Sequence, residues 1–199
     1  MPTISEKILN RATSLPEGAL ISAKEFLHLG SRAAVDQALK RLKERKQLMQ
    51  VARGIYVRPV QTRFGVRAPA AQKVVEGFAA SLAETVVAHG AAAANALGLT
   101  TQVPTKLVYL TSGKSRRLKL GAQVIEMKKA PQWMLLPLRP AAGEAVRALE
   151  WIGKRRAPEA LATLKQKLPP STIEELIALR PAFPAWLSKS ISETLAPHG

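Results

Sequence analysis

Residues 22–58 constrain the fold of this chain more than any other stretch. They place two helix starts one glycine apart, then a strand–turn–strand pattern. Ser22-Ala23-Lys24-Glu25 fits a capping box, in which the hydroxyl accepts from a first-turn N–H and the glutamate reaches back to the cap N–H. Phe26 and Leu27 are expected to face inward, and Gly30 ends this short helix. Ser31 caps the next helix, whose Val35, Ala38, Leu39 and Leu42 recur at helical spacing and form one apolar stripe. Leu48 to Ala52 and Ile55 to Arg58 then read as two strands around an Arg53-Gly54 turn. An earlier helix opens on a second box, Thr3-Ile4-Ser5-Glu6, and stops at Pro16-Glu17-Gly18. Three short helices followed by a basic-tipped hairpin predict a winged helix-turn-helix over residues 1–67. Gly30-Ser31 would be its turn and the third helix its groove reader.

Charge agrees with that pattern. The 199 residues carry 30 Lys and Arg against 14 Asp and Glu, a formal charge of +16, while 47% hydrophobic content excludes a disordered polycation. Residues 31–67 alone hold 10 basic residues against Asp36 and Glu44. A pI near 10.7 points first to nucleic acid and second to an anionic membrane surface. The face of the third helix opposite its stripe presents Ala33, Gln37, Lys40 and Glu44, flanked by Arg32, Asp36 and Arg41. Gln can bond adenine bidentately, and Lys or Arg can bond guanine or phosphate. Ser31 and the first-turn N–H groups suit a phosphate. The candidate DNA-binding residues are therefore Ser31, Arg32, Gln37, Lys40 and Arg41, with Arg53 on the wing.

Enzymatic readings find little support. There is no cysteine, Asp36 is the lone aspartate, and the three histidines, His28, His89 and His198, are far apart in sequence. Zinc sites and carboxylate-rich Mg²⁺ sites are hard to assemble from that supply. Gly113-Lys114-Ser115 matches the end of a phosphate loop, but Val108 stands where its first glycine belongs and strand-like residues follow. Glu126-Met127-Lys128 resembles half of a nuclease motif, so a Mg²⁺-dependent nuclease using Glu126 and Lys128 is the alternative activity. No nucleophile-elbow pattern occurs. No cofactor is expected. The N-terminus lacks the basic run and apolar stretch of a signal peptide, and no apolar window is long enough to span a bilayer. A cytoplasmic location without membrane attachment is expected.

Residues 68–199 are expected to form a mixed domain with a small antiparallel sheet and C-terminal helices, giving an α+β chain. Residues 62–72 read as a linker and 81–97 as an alanine-dense helix, with His89 packed or capping. Strands follow at 107–110, 116–120 and 123–127. Lys114, Arg116, Arg117 and Lys119 would make this sheet basic, as a second nucleic-acid or partner surface; an RNA-binding module led by them is a further alternative. With 5% aromatic content, platforms for stacked single-stranded bases are scarce. Helices are expected at 142–153, 158–168, 171–179 and 185–195, the third opening on a box Ser171-Thr172-Ile173-Glu174. Trp133, Trp151 and Trp186 are read first as core.

The stretch ISAKEFLHLGSRAAVDQALKRLKERKQLMQVARGIYVRP, residues 21–59, resembles the winged helix of AbiEi-type antitoxins from bacterial type IV toxin–antitoxin systems. Ala88-His89-Gly90, Asn95-Ala96-Leu97-Gly98-Leu99, Gln102-Val103-Pro104 and Tyr109-Leu110-Thr111-Ser112-Gly113 look like the start of that family's antitoxin domain. The resemblance implies a repressor that binds operator DNA of its own operon and counters a nucleotidyltransferase toxin through its C-terminal domain. It would have no enzymatic activity and would be a monomer or weak homodimer.

Overall fold

Reciprocal side-chain caps set the first helix starts. Thr3 accepts from the Glu6 N–H at 3.2 Å and donates its own N–H to the Glu6 carboxylate at 2.7 Å. Ser22 and Glu25 repeat the arrangement. These boxes belong to a computed structural model that describes residues 2–196. The first elements are α1 (Ile4–Ser14), β1 (Leu20–Ser22), a 3₁₀ helix (Ala23–Leu29), α2 (Arg32–Glu44), β2 (Met49–Ala52) and β3 (Ile55–Val57). Next come β4 (Val60–Thr62), β5 (Gly65–Arg67), α3 (Ala71–Leu82), β6 (Val86–Ala88), α4 (Gly90–Ala96), β7 (Leu107–Thr111), β8 (Arg116–Leu120) and β9 (Gln123–Lys129). A 3₁₀ helix (Gln132–Leu135), α5 (Pro140–Ile152), α6 (Ala157–Lys167), α7 (Pro170–Ala178) and α8 (Ala185–Thr194) complete an α+β fold. No helix among the described residues is long and apolar enough to cross a membrane. His198 lies outside the described residues.

The chain folds into two compact units that interleave in sequence. One joins residues up to Val86 with Ser115–Met127; the other joins Val87–Lys114 with residues from Lys128 onward. The expected division at residue 67 differs from this one, because α3 packs against β1 and β8 against β2.

In the first unit, β1, β3 and β2 form an antiparallel sheet in that order. The 3₁₀ helix and α2 follow β1, giving the winged-helix succession. Ile8, Ala12, Ile21, Phe26, Val35, Leu39, Leu42 and Leu48 fill its core. Leu27, expected inside, is 44% exposed, because a 3₁₀ turn rotates it away from Phe26. The expected linker at 62–72 is instead a hairpin, β4–β5, running into α3. Thr62 Oγ1 donates to the Gly65 carbonyl at 2.8 Å and accepts from the Phe64 N–H at 3.2 Å. Its strands are only three residues each and its Phe64 is 86% exposed, so no apolar alternation marks it in the sequence. Glu17 accepts from the Ala70 N–H at 2.8 Å and from Arg67 at 3.3 Å, tying the start of α3 to the loop after α1. The Ala70 bond, opposed by burial and assisted by Arg67, holds the Glu17 carboxyl below its ordinary pKa.

The expected helix at 81–97 does not exist as one element. Alanine-rich composition masks the break: α3 ends at Leu82, Ala83 takes a left-handed conformation at φ 52°, and β-branched Val86-Val87 lead a strand. His89 then caps α4, its Nδ1 accepting from the Ala91 N–H at 3.2 Å. In this second unit, α5 to α8 bury Ala145, Val146, Leu149, Leu161, Leu164 and Leu187. Their bounds lie within two residues of expectation. The Ser171 capping box is absent, since Pro169 holds the cap position and Pro170, with φ preset by its ring, starts the helix. Trp133 and Trp186 pack on the core, whereas Trp151 is 39% exposed.

Gly77 of α3 lies directly over the Gly18 carbonyl, which a Cβ at this position would overlap. Gly54, by contrast, has φ 71° and open space around it. Gly77→Ala is expected to lower stability by about 2–3 kcal/mol, as overpacking against backbone does. Gly54→Ala should cost only about 1–2 kcal/mol of left-handed strain. Urea denaturation of both variants measures the difference.

Candidate nucleic-acid interface

Helix α2 is built as its sequence pattern requires. Val35, Ala38, Leu39 and Leu42 are buried, and Ser31 Oγ accepts from the Ala34 N–H at 3.3 Å. The same periodicity turns Arg32, Ala33, Gln37, Lys40 and Arg41 to solvent. Two of these basic side chains have partners on the helix itself. Arg32 Nε lies 2.9 Å from Asp36, and Lys40 lies 3.9 Å from Glu44. All four side chains are more than half exposed, so these i,i+4 pairs are weak and a phosphate can replace either carboxylate. Arg53 stands exposed at the β2–β3 turn. β2 is irregular just before it, with a register shift between Gln50 and Ala52 that bends the wing.

The basic central segment divides by strand periodicity. In β8, Leu118 and Leu120 are buried, and Arg116 shares their face while Arg117 and Lys119 point outward. Arg116 is 21% exposed, donates to Glu84 at 2.6 Å and lies 5.9 Å from the centre of the Phe78 ring. It is an internal anchor rather than a surface charge. Arg117, 76% exposed, meets Glu126 at 3.1 Å across the hairpin. Lys114 is exposed in the turn between β7 and β8.

What sequence reasoning missed is a groove beside the wing, of about 750 Å³, within the first unit. Its basic and polar lining is Lys43, Gln50 and Arg53 on one side, Arg117 and Lys119 on the other. No carboxylate belongs to this lining. Lys43, on the last turn of α2, donates to Gln50 Oε1 at 2.9 Å and so ties that helix to the wing strand. Neither Lys43 nor Gln50 was singled out from sequence. Their signal is spatial, created when β8 comes to lie beside β2.

Other candidate chemistry finds no assembled site. Glu126 and Glu84 are both bound to arginines. No group of three His, Asp or Glu side chains gathers to hold a metal among the described residues. Gly113-Lys114-Ser115 precedes strand β8, not a helix.

Comparison with known families now has a fold and a surface to refer to. Residues 7–175 match DUF6088, a family of unknown function. The chain belongs to the DUF6088 family. No curated protein and no solved structure matches it. The match to DUF6088 runs from within α1 into α7, so it takes in the winged helix, the basic hairpin and most of the second unit.

Two outcomes follow for this DUF6088 protein. Arg116→Ala should cost about 1.5–3 kcal/mol by removing a charge-assisted hydrogen bond to the largely buried Glu84, whereas Arg117→Ala should stay within about 0.5 kcal/mol. Thermal and chemical unfolding of the two neighbours checks this contrast. The second outcome concerns acid. Burial lowers the His89 pKa, with Lys128 adding to the effect, so the unfolded chain takes up the proton first. The stability from this neutral cap is complete above the unfolded value near 6.5 and is lost as pH falls through the lower folded value. His89→Asn keeps a capping acceptor without a titrating ring. Melting curves between about pH 5 and 7.5 should show a smaller acid-side loss for that variant than for the wild type.

Proposed function

We propose that this protein is a cytoplasmic DNA-binding antitoxin of the type IV kind, a repressor of its own operon that counters a nucleotidyltransferase toxin. The observation that carries the DNA-binding part is the winged-helix succession ending in an exposed Gln37, Lys40 and Arg41 face and an Arg53 wing tip. None of these four side chains contributes to the core. An exposed polar helix face beside a basic turn supports reading them as a major-groove helix and a backbone-touching wing. The antitoxin part is supported by the resemblance of residues 21–59 and 88–113 to AbiEi-type proteins. The second unit, with its own helical core, would carry it.

Duplex DNA from upstream of the protein's own gene, titrated by fluorescence anisotropy at several salt concentrations, tests the reading. Replacing Gln37, Lys40 and Arg53 together by alanine removes two phosphate-reaching cations. It should weaken binding and flatten the logarithmic salt slope by about 2, at about 0.9 per contact. Unchanged affinity would overturn DNA binding through this face. In cells co-expressing a neighbouring nucleotidyltransferase gene, the same full-length variant should lose repression yet still rescue growth. Failure of the wild-type chain to rescue would remove the antitoxin role.

A further inference from the structure

The groove between wing and hairpin is not required by a winged helix that reads DNA with α2 alone. We propose that the β8–β9 hairpin is a second wing. In this proposal Arg117 and Lys119, with Lys43 and Arg53, grip the phosphate backbone of the duplex that α2 reads, extending the contact along one flank. It rests on the duplex-binding reading above and adds to it a set of residues and a footprint.

Four observations favour a duplex backbone as occupant. Lys43 belongs to the reading helix itself, so a ligand in the groove is continuous with the polar face of α2. Its two sides are basic and no carboxylate lines it, which suits a continuous polyanion. Its accessible apolar lining is Ala52 and Val124, the latter 46% exposed, and no aromatic residue lines it. Stacked single-stranded bases would find no platform there, while sugar edges meet an apolar surface. Finally, the outward side chains of β8 at this groove are a cation pair on a strand whose alternate residues are locked inward by Arg116, Leu118 and Leu120. The pair is therefore presented by a fixed element and not by a loose tail.

Glu126 tunes the site. Its carboxylate holds Arg117 at 3.1 Å and competes with any phosphate for that guanidinium. Removing its charge should make Arg117 a better phosphate ligand.

The test uses the full-length protein and the salt titration with duplex DNA. Arg117→Ala combined with Lys119→Ala should flatten the salt slope by about 2. It should weaken binding alike for every duplex sequence, because phosphate contacts carry no base information. Hydroxyl-radical footprinting should lose protection on one flank. Glu126→Gln should instead tighten binding a few-fold, which keeps the proposal falsifiable should the double variant be unstable. Wild-type slope and footprint in the double variant, while a variant with only Gln37 and Lys40 replaced by alanine is weakened, would overturn the second wing and leave the winged-helix reading standing. The reverse pattern would support the groove and overturn the docking of α2. Preferential binding of a structured RNA or an acidic peptide, abolished by the same double substitution, would overturn the duplex as its occupant.

Discussion

The contact between Arg116 and Glu84 governs where the central cations stand. Taking two charges largely out of water is expensive, and the pair gains little net stability over an apolar substitute. Its consequence lies in register. With Arg116 held between Glu84 and Phe78, strand periodicity leaves Arg117 and Lys119 no direction but outward. A slip by one residue would turn Leu118 and Leu120 to water and drive two cations inward, so the alternative pairing is strongly disfavoured. The groove beside the wing thus inherits its charge from an ion pair on the opposite face of the same strand.

Along the chain the basic residues look like two separate clusters, one in 31–67 and one in the central hairpin. Folding merges part of each into a single surface within the first unit. It also withdraws Arg116 from the solvent, and it partners Arg32 and Lys40 with exposed carboxylates and Arg117 with the largely buried Glu126. Such pairs hold long side chains near the surface and restrain them until a stronger anion arrives. The formal charge of +16 acts on other charges at a distance; these local pairs decide which cations stand beside a carboxylate.

Much of this was legible before any coordinates. The capping boxes at Thr3 and Ser22, the stripe of α2 and the turn at Arg53-Gly54 are local signals, and local physics decides them. The C-terminal helices were legible because Leu161, Leu164 and Leu168, and then Ile173, Leu176 and Ile177, recur at helical spacing between prolines. The β4–β5 hairpin was not, since three-residue strands with an exposed Phe64 have no period to detect. The break between α3 and α4 was hidden because alanine fits a helix as readily as a close-packed turn. The groove was invisible for another reason: residues 43–53 and 117–119 become neighbours only through non-local packing.

That discontinuity has a consequence for synthesis. At about 5–20 residues per second, the ribosome releases the winged helix several seconds before residues 115–127 follow. Until then the nascent chain carries an uncovered β2 margin and a Glu84 carboxylate without Arg116. The first unit is therefore finished late, after part of the second has already been made. Newly made molecules pass through a stage in which α2 is complete and the hairpin that stands beside β2 is not, so the groove of the first unit is finished only after residue 127 has left the ribosome.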